Sequence, residues 1–322
     1  MPRPFFPEEF IMTNVKAADT TLFHKLSILI AGILWGCMGL FVRPLDALGL
    51  SSWDIVFLRA CLTTLFMLLL ILLKNPGLLR IRLKDLWCFL GTGLLSIVFF
   101  NICYFTEITI TTLSVAAILL YTAPAFVIVL SAICFREKIT KRKLAALLLA
   151  FLGLMFVTGF IGSAQRLDAR VLLIGLGAGL GYALYSIFGR YAIERGYASP
   201  TISFYTFLFA GLATVFLAKP LHVAGVLTSS WTNAGFCVLF ALVSTVIPYL
   251  TYTFGLKAVE GGQASIIAAV EPVVATLNGI FFFREKLTAG VLVGAALVLA
   301  GIIVSNINTE KHCTDTIKCR RK

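Results

Sequence analysis

The heptapeptide CFREKIT, at residues 134–140, and the heptapeptide FFREKLT, at residues 282–288, share the tetrapeptide Phe-Arg-Glu-Lys. The two copies lie 148 residues apart, and each ends an apolar run. Further identities occur at this spacing, or at a spacing of 147 in the earlier part of each copy: Gly32 with Gly179, Arg43 with Arg190, Tyr104 with Tyr252, Pro124 with Pro272 and Gly153 with Gly301. The sequence therefore predicts two copies of one structural unit.

The composition is typical of a membrane protein. Of its 322 residues, 59% are hydrophobic and 13% are charged, and the mean hydropathy is +0.97, far above the range of soluble domains. A helix needs roughly 20 apolar residues to cross a bilayer core of about 30 Å. The sequence predicts an all-α integral membrane protein whose ten transmembrane helices occupy residues 26–45, 53–73, 86–106, 112–133, 144–161, 171–193, 202–218, 233–254, 263–283 and 289–306.

Each copy contains five of these predicted helices. Because five is odd, the second copy enters the membrane from the opposite side, and the chain is predicted to form two inverted five-helix repeats. The predicted segments are a polar N-terminal tail at residues 1–25, the repeats at 26–161 and 171–306, and a basic C-terminal tail at 307–322.

The net charge of +12 is spread over short loops, where basic residues set orientation and do not indicate nucleic-acid binding. With the N-terminus in the cytoplasm, 20 of the 27 Lys and Arg residues lie inside, 6 lie outside and Arg59 lies within a span. Both termini are therefore predicted to be cytoplasmic, and the membrane is the plasma (inner) membrane if the protein is bacterial. The lipid bilayer and a small-molecule substrate are the predicted partners, and a homodimer is left open.

In this orientation the first Phe-Arg-Glu-Lys ends the fourth span inside, and the second ends the ninth span outside. One interpretation is an interfacial anchor, with Phe at the lipid boundary and the charges among the headgroups. The alternative is a salt bridge that gates a pathway. The anchor is the simpler interpretation, because most charges at a membrane edge serve this purpose.

Two prolines interrupt matching spans at mid-depth. Pro124 and Pro272 lack an N–H group and so free the carbonyl groups of Leu120 and Ala268. Transporters built from inverted repeats often bind substrate beside such helix breaks. Two interpretations remain open: the freed carbonyls hold a ligand or an ion, or the kinks only shape helix packing.

Glu271 precedes the second proline near the centre of the ninth span. A charged side chain at that depth costs about 2.5 to 3.5 kcal/mol on insertion scales, and the matching residue of the first repeat is Ala123. We expect Glu271 to contribute to function, either by exchanging a proton during transport or by pairing with a substrate amine. The alternative is a protonated carboxyl group bonded to a neighbouring helix.

Four further residues are candidates for the lining of a substrate site. Trp35 and Tyr182 match at the spacing of 147, and both fall near mid-depth, as does Tyr121. Their rings are suited to stacking on planar or apolar substrates, although each one alone is as consistent with packing. Asn101, about 7 Å from the centre of the third span, is a weaker candidate.

Arg59 lies six residues into the second span, about 9 Å below the predicted outer interface. The simpler interpretation is that its side chain extends to that interface. The alternative is that it holds an anionic group of a substrate. Gly175, Gly177, Gly179 and Gly181 form two GxxxG pairs on the sixth span and predict close helix approach.

Several functional classes find no support in the sequence. The three histidines lie outside or at the margin of the spans, and the motifs HExxH and GxSxG do not occur. The eight cysteines form no CxxC pair, so neither a zinc site nor a disulfide framework is indicated. We expect no enzymatic activity, metal or cofactor, and the competing class is a membrane sensor that transports nothing.

The chain resembles the EamA family of the drug/metabolite transporter superfamily. The resemblance rests on Trp35-Gly36, Arg59, Glu271-Pro272 and the ending from Phe283 to Thr288, and it covers roughly residues 26–306. The first repeat departs from it at Ala123, where no glutamate precedes the proline. The resemblance implies ten helices, cytoplasmic termini and alternating-access export or uptake of small metabolites, often amino acids. It names no substrate.

Overall fold

The computed structural model of the chain describes residues 17–111, 113–160, 168–284 and 287–306. Within those ranges every regular element is a helix. Outside them lie the basic C-terminal tail, residues 1–16 of the predicted N-terminal tail, and Glu285 and Lys286 of the second tetrapeptide. The first described helix, Ala17–Gly36, includes residues of the segment predicted as a tail.

The helices follow the order of the two sequence copies. The first copy contains α1 (Ala17–Gly36), α2 (Met38–Ala47), α3 (Ser52–Lys74), α4 (Leu86–Leu90), α5 (Phe99–Ile110), α6 (Leu113–Leu120), α7 (Ala123–Phe135) and α8 (Lys141–Val157). The second contains α9 (Ala169–Glu194), α10 (Ser199–Thr214), α11 (Pro220–Ser229), α12 (Trp231–Ala241), α13 (Ile247–Gly255), α14 (Gly261–Ala268), α15 (Glu271–Phe283) and α16 (Ala289–Asn306).

Within the described residues, eight helical stretches are long and apolar enough to cross a membrane. They are Thr21–Ala47, Ser52–Lys74, Leu83–Ile110, Val115–Phe135, Ala169–Glu194, Trp231–Gly255, Gly261–Phe283 and Ala289–Asn306. The other two predicted spans form α8 and α10, of 17 and 16 residues. These helices are about 26 and 24 Å long, shorter than the shortest of the eight stretches, Ala289–Asn306 with 18 residues, so helix length supports eight of the ten predicted spans.

The outer surface of the helices is apolar. Large side chains such as Leu73, Leu173 and Phe281 are at least 74% exposed. An apolar surface of this extent marks contact with a membrane and not with water. Together with the candidate spans, it makes the chain an integral, multi-pass membrane protein.

The two copies share local irregularities as well as helices. A π-helical stretch joins α4 to α5 at Gly91–Val98, and another joins α12 to α13 at Leu242–Val246. The last five residues of the first stretch match the second at the spacing of 148. The two arginines of the repeated tetrapeptide, Arg136 and Arg284, both have a left-handed backbone, with φ of 56° and 55°. Each ends its helix in the conformation common at helix C-termini.

The last helices of the two copies, α8 and α16, pack closely against each other. A Cβ added to Gly153 would lie 2.6 Å from the carbonyl oxygen of Gly294, and one added to Gly301 would lie 2.8 Å from that of Ala146. Gly153 matches Gly301, and Ala146 matches Gly294. The contact is therefore reciprocal, as contacts across a twofold axis are.

The glycines of the sixth predicted span do permit close approach, as the two GxxxG pairs predicted. Gly175 and Gly179 of α9 face Leu119 of α6, while Gly177 faces Cys103 and Gly181 faces Phe100 of α5. The two pairs thus serve two different neighbours.

The helix α11 has no counterpart in the predicted spans. Asp54, in the first turn of α3, anchors the start of this helix: its Oδ1 accepts a hydrogen bond from the Lys219 backbone N–H at 2.7 Å. The same side chain also completes a capping box with Ser51.

Candidate functional site

Two interrupted helices meet at the centre of the molecule. The chain leaves helical geometry between α6 and α7, just before Pro124, and between α14 and α15, just before Pro272. Both prolines and Tyr121 line one small cleft. The sequence predicted both helix breaks, and the structure shows that the two breaks face each other.

Glycines cover the carbonyl groups that the prolines free. A Cβ added to Gly32 would lie 3.0 Å from the Ala268 oxygen, and one added to Gly179 would lie 3.2 Å from the Leu120 oxygen. The two glycines match in the repeat, as do the two carbonyls. In this conformation the freed carbonyls are helix contacts, which favours the packing interpretation over a ligand at these oxygens.

Glu271 is the first residue of α15 and sits at one break. Its Oε2 accepts a hydrogen bond from the Tyr182 hydroxyl at 3.0 Å, and Tyr121 faces the same carboxyl group. The N-terminus of α15 also favours a negative charge, because unpaired N–H groups and the helix dipole lie there. These contacts offset part of the cost of a carboxyl group at this depth.

The first membrane helix approaches Glu271 closely. A Cβ added to Gly36 would lie 2.7 Å from the Glu271 carbonyl oxygen, so only glycine fits. The helix is interrupted directly afterwards, at Cys37. Asn278 of α15 donates a hydrogen bond from Nδ2 to the Gly36 oxygen at 3.2 Å. Gly36 therefore brings the preceding residue, Trp35, beside the break.

Aromatic rings surround the space next to Glu271. The Trp35 ring centroid lies 6.3 Å from that of Tyr182 and 5.2 Å from those of Tyr249 and Tyr252. The Tyr252 hydroxyl is 2.8 Å from the Ser186 hydroxyl, which fixes its ring. These rings contribute to the lining of a cavity of about 20 Å³, space for a water molecule but not for a metabolite.

Sequence reasoning missed Tyr249 and Tyr252 as members of this aromatic cluster. Tyr252 matches Tyr104 in the repeat, and Tyr249 matches Asn101, so the repeat contained a signal for both positions. Asn101 itself is buried, and its Nδ2 donates to the Ile97 oxygen of its own helix at 2.6 Å. Its amide does not join Trp35, Tyr182 and Glu271.

Arg59 turns into the protein and not towards the interface, which makes the simpler interpretation of this residue wrong. It is 5% exposed, and its Nη1 donates a long bond of 3.7 Å to the Met38 sulfur. Nε has no partner, and no ion pair of Arg59 occurs among the described residues. Tyr249 lies within electrostatic range of both Arg59 and Glu271.

The first Phe-Arg-Glu-Lys is not a simple headgroup anchor. The Glu137 side chain is 5% exposed and pairs with Arg190 of α9 and with Lys143, the latter at 3.3 Å. It also accepts the Gly261 backbone N–H of α14 at 3.1 Å. Lys143 binds Glu260 at 2.7 Å. This ion cluster joins the two copies across one end of the molecule.

The matching elements also meet at the opposite end of the repeat. The Arg190 guanidinium lies 4.8 Å from the ring centroid of Phe135, and that of Arg43 lies 3.9 Å from the ring centroid of Phe283. These four residues form two matching pairs. As between α8 and α16, the contact is reciprocal.

Among the described residues, no group of three or more His, Cys, Asp or Glu side chains could hold a metal ion.

Comparisons with known proteins agree with this architecture. The model of the EamA-like transporter family matches twice, at residues 23–159 and 169–307. An uncharacterized transporter of Archaeoglobus fulgidus is 28% identical over 284 residues, which are 88% of this chain and 96% of the relative. The uncharacterized transporter YetK of Bacillus subtilis is 26% identical over 262 residues, 79% of this chain and 78% of the relative.

One crystal structure resembles the fold with a TM-score of 0.71 at 16% identity, covering 88% of this chain and 96% of that one. At this identity the likeness speaks for the fold alone. The two family matches together cover most of the chain, one in each sequence copy. The chain therefore belongs to the EamA-like transporter family.

Proposed function

We propose that this membrane transporter is a secondary transporter that exports an amino acid or a similar small amphipathic metabolite by alternating access. The observation that carries the proposal is the position of Glu271: a carboxyl group at a helix break, bonded to Tyr182 and next to a cluster of aromatic rings. Residues of both copies build this site. A site between two repeats is where such transporters bind substrate.

The proposed arrangement is ten spans in two inverted repeats, with α8 and α10 as the shorter spans and both termini in the cytoplasm. Three reciprocal contacts support a twofold relation: Gly153 and Gly301 between α8 and α16, Gly32 and Gly179 at the freed carbonyls, and the two Arg-Phe pairs. With five helices in each repeat, such an axis lies in the membrane plane.

Alternating access requires a closed end that can open. The ion cluster of Glu137, Arg190, Lys143 and Glu260 links the copies across one end, and the central cavity is too small for a metabolite. The proposed cycle therefore breaks this cluster to admit substrate from the cytoplasm and restores it when the opposite end opens.

Two buried charges define the proposed substrate contacts. Glu271 would pair with an amine, or exchange a proton for it, and Arg59 would pair with a carboxylate. A guanidinium buried without a charged partner is costly, so an anionic group arriving with the substrate would stabilise it. An amino acid carries both groups, and its side chain would lie against the ring of Trp35.

The second candidate is uptake of a nucleotide-like or drug-like compound. The burial of Arg59 supports it, because a phosphate or another anion would satisfy the guanidinium as well as a carboxylate does. The candidate of another class, a sensor without transport or enzymatic activity, has no specific observation in its favour.

Flux measurements with purified protein in liposomes would separate these candidates. We expect labelled amino acids to exchange across the membrane, and Arg59→Gln to reduce exchange more for a substrate with a carboxylate than for its amide. Flux of nucleotide-like anions alone would favour the second candidate. No solute flux under any gradient would favour the sensor. A thermal-shift screen of metabolites, in which a bound ligand raises apparent stability, would select the compounds to label.

A further inference from the structure

A second buried carboxyl group lies in the third membrane helix. Glu107 is 0% exposed, and within the described part of the chain neither of its carboxyl oxygens has a hydrogen-bond partner. The side chain fits against Gly175 of α9, where an added Cβ would collide with Oε1, and beside Leu119 of α6. A carboxylate in such surroundings has nothing to replace its hydration. The group is therefore stable here as the neutral acid.

The repeat shows that this position does not require a carboxyl group for packing. Glu107 matches Gly255 at the spacing of 148, and Gly175 matches Ile28 at the spacing of 147. In the second contact, a Cβ added to Gly255 would collide with the Ile28 side chain. The same space between two helices is thus filled by an isoleucine in one half and by a glutamate in the other. Since an isoleucine fills this space equally well, packing does not explain the carboxyl group of Glu107, and we infer that it has another role.

Two groups that can carry a proton lie near Glu107 on its own helix. Cys103 and Tyr104 lie within electrostatic range, whereas the residues that face it from α9 and α6, Gly175 and Leu119, carry no titratable group. Tyr104 is also within range of Glu271. Tyr104 therefore interacts electrostatically with both buried carboxyl groups.

We propose that Glu107 is a second proton-binding site of the transport cycle. It holds a proton while α5 and α9 are packed together and releases it to water when the two helices separate. The O–H bond of the acid breaks, and the carboxylate that remains is hydrated in the opened crevice. The proposal rests on the proposed transport function for its place in a cycle, but proton binding itself requires no substrate to be measured.

A disulfide between α5 and α9 would allow the proposal to be tested. A Cβ added to Gly177 would lie 3.9 Å from the Cys103 Cβ and 3.1 Å from its sulfur, which fits a disulfide, whose Cβ atoms lie about 3.8 Å apart. In the full chain with the remaining cysteines replaced, Gly177→Cys would join α5 to α9 when oxidised and free them when reduced. The readout is the infrared C=O band of an unbonded carboxylic acid, followed from acidic to alkaline pH.

We expect the band to persist at alkaline pH in the oxidised form and to vanish reversibly in the reduced form. It should be absent in Glu107→Gln and retained in Glu271→Gln, which assigns the band even if the Glu107 variant does not fold. The same titration in both redox states, or an unchanged band in Glu107→Gln, would overturn the proposal. Solute flux with an absent band would refute the proton site while leaving transport intact.

Discussion

The two helix breaks at the centre of the molecule share a scaffold but not a chemistry. Each break has a proline at the same point of the repeat, and a glycine from another helix covers each freed carbonyl. Glu271 precedes the second proline, whereas Ala123 precedes the first. The repeated residues thus build a symmetric frame, and the residues that differ between the copies supply the charged groups of the site.

The two ends of the repeat differ in a similar way. Both have an arginine over a phenylalanine ring. The end at Glu137 adds the pair of Lys143 and Glu260, and the positions that match these two in the repeat are Val291 and Thr112. If the two ends alternate in opening, the end with the additional pair is the one favoured to be closed.

The largest effect is expected from removing the charge that distinguishes the second break. Glu271→Gln should strongly reduce the dependence of transport on a proton gradient while counterflow continues, because the amide cannot exchange a proton and leaves Glu107 as the remaining proton-binding site. Gradient-driven and counterflow uptake into liposomes measure the two activities. Asp46→Asn, at an exposed carboxylate, is the control. Unchanged gradient dependence would remove Glu271 from the coupling role.

The next effect concerns the ion cluster. Glu137→Gln should lower the free energy of unfolding by about 3 to 5 kcal/mol, since it leaves Arg190 and Lys143 without their buried partner. Glu194→Gln, whose side chain is 38% exposed and also pairs with Arg190, should cost less than about 1 kcal/mol. Denaturant unfolding in detergent compares the two. Equal costs would mean that Glu137 is solvated after all.

A smaller loss of stability is expected where α8 crosses α16. Gly153→Ala should cost about 1 to 3 kcal/mol, because the added methyl group overpacks the contact with Gly294. Gly225→Ala is the control, since a Cβ there meets nothing within 4 Å; it should stabilise α11 by up to about 1 kcal/mol. Thermal unfolding midpoints of the two variants should therefore move in opposite directions, and a tolerated Gly153→Ala would contradict the close crossing.

The smallest effect should follow from Glu260→Gln. This carboxylate is 52% exposed, so its loss should cost about 1 kcal/mol or less, which changes a conformational equilibrium by about fivefold at most. The fraction of molecules that are open at this end should rise. The rate at which a cysteine placed in the central cavity is labelled would measure this fraction. A lower rate would mean that the additional pair does not favour closure.

The sequence predicted the frame better than the contacts. The spacing of 148 located both proline breaks, because a missing N–H group interrupts a helix wherever it occurs. The repeat spacing could not reveal that the Tyr182 hydroxyl donates a hydrogen bond to Glu271, since 89 residues separate the two in the chain. Arg59 was assigned to the interface because depth along a helix was known, whereas the direction of its side chain depends on neighbouring helices.

Glu137 illustrates the same limit. Its position at the end of an apolar run suggested headgroups, but its partner Arg190 comes from a helix 53 residues further on. The count of ten spans was inferred from apolar runs that extend beyond the ends of α8 and α10, where the chain leaves the helix. Glu107 was missed because it lies only one turn from the end of α5, where a charge normally reaches the interface.

The inverted arrangement of the two repeats can be tested with a matched pair of residues. Ile139 and Leu287 follow the two tetrapeptides at the spacing of 148 and are 56% and 54% exposed. In a cysteine-free chain expressed in intact cells, Ile139→Cys and Leu287→Cys would each be treated with a membrane-impermeant maleimide before and after permeabilisation. We predict that Leu287→Cys is labelled in intact cells and Ile139→Cys only after permeabilisation, whereas labelling of both from the same face would contradict two inverted repeats around a central site.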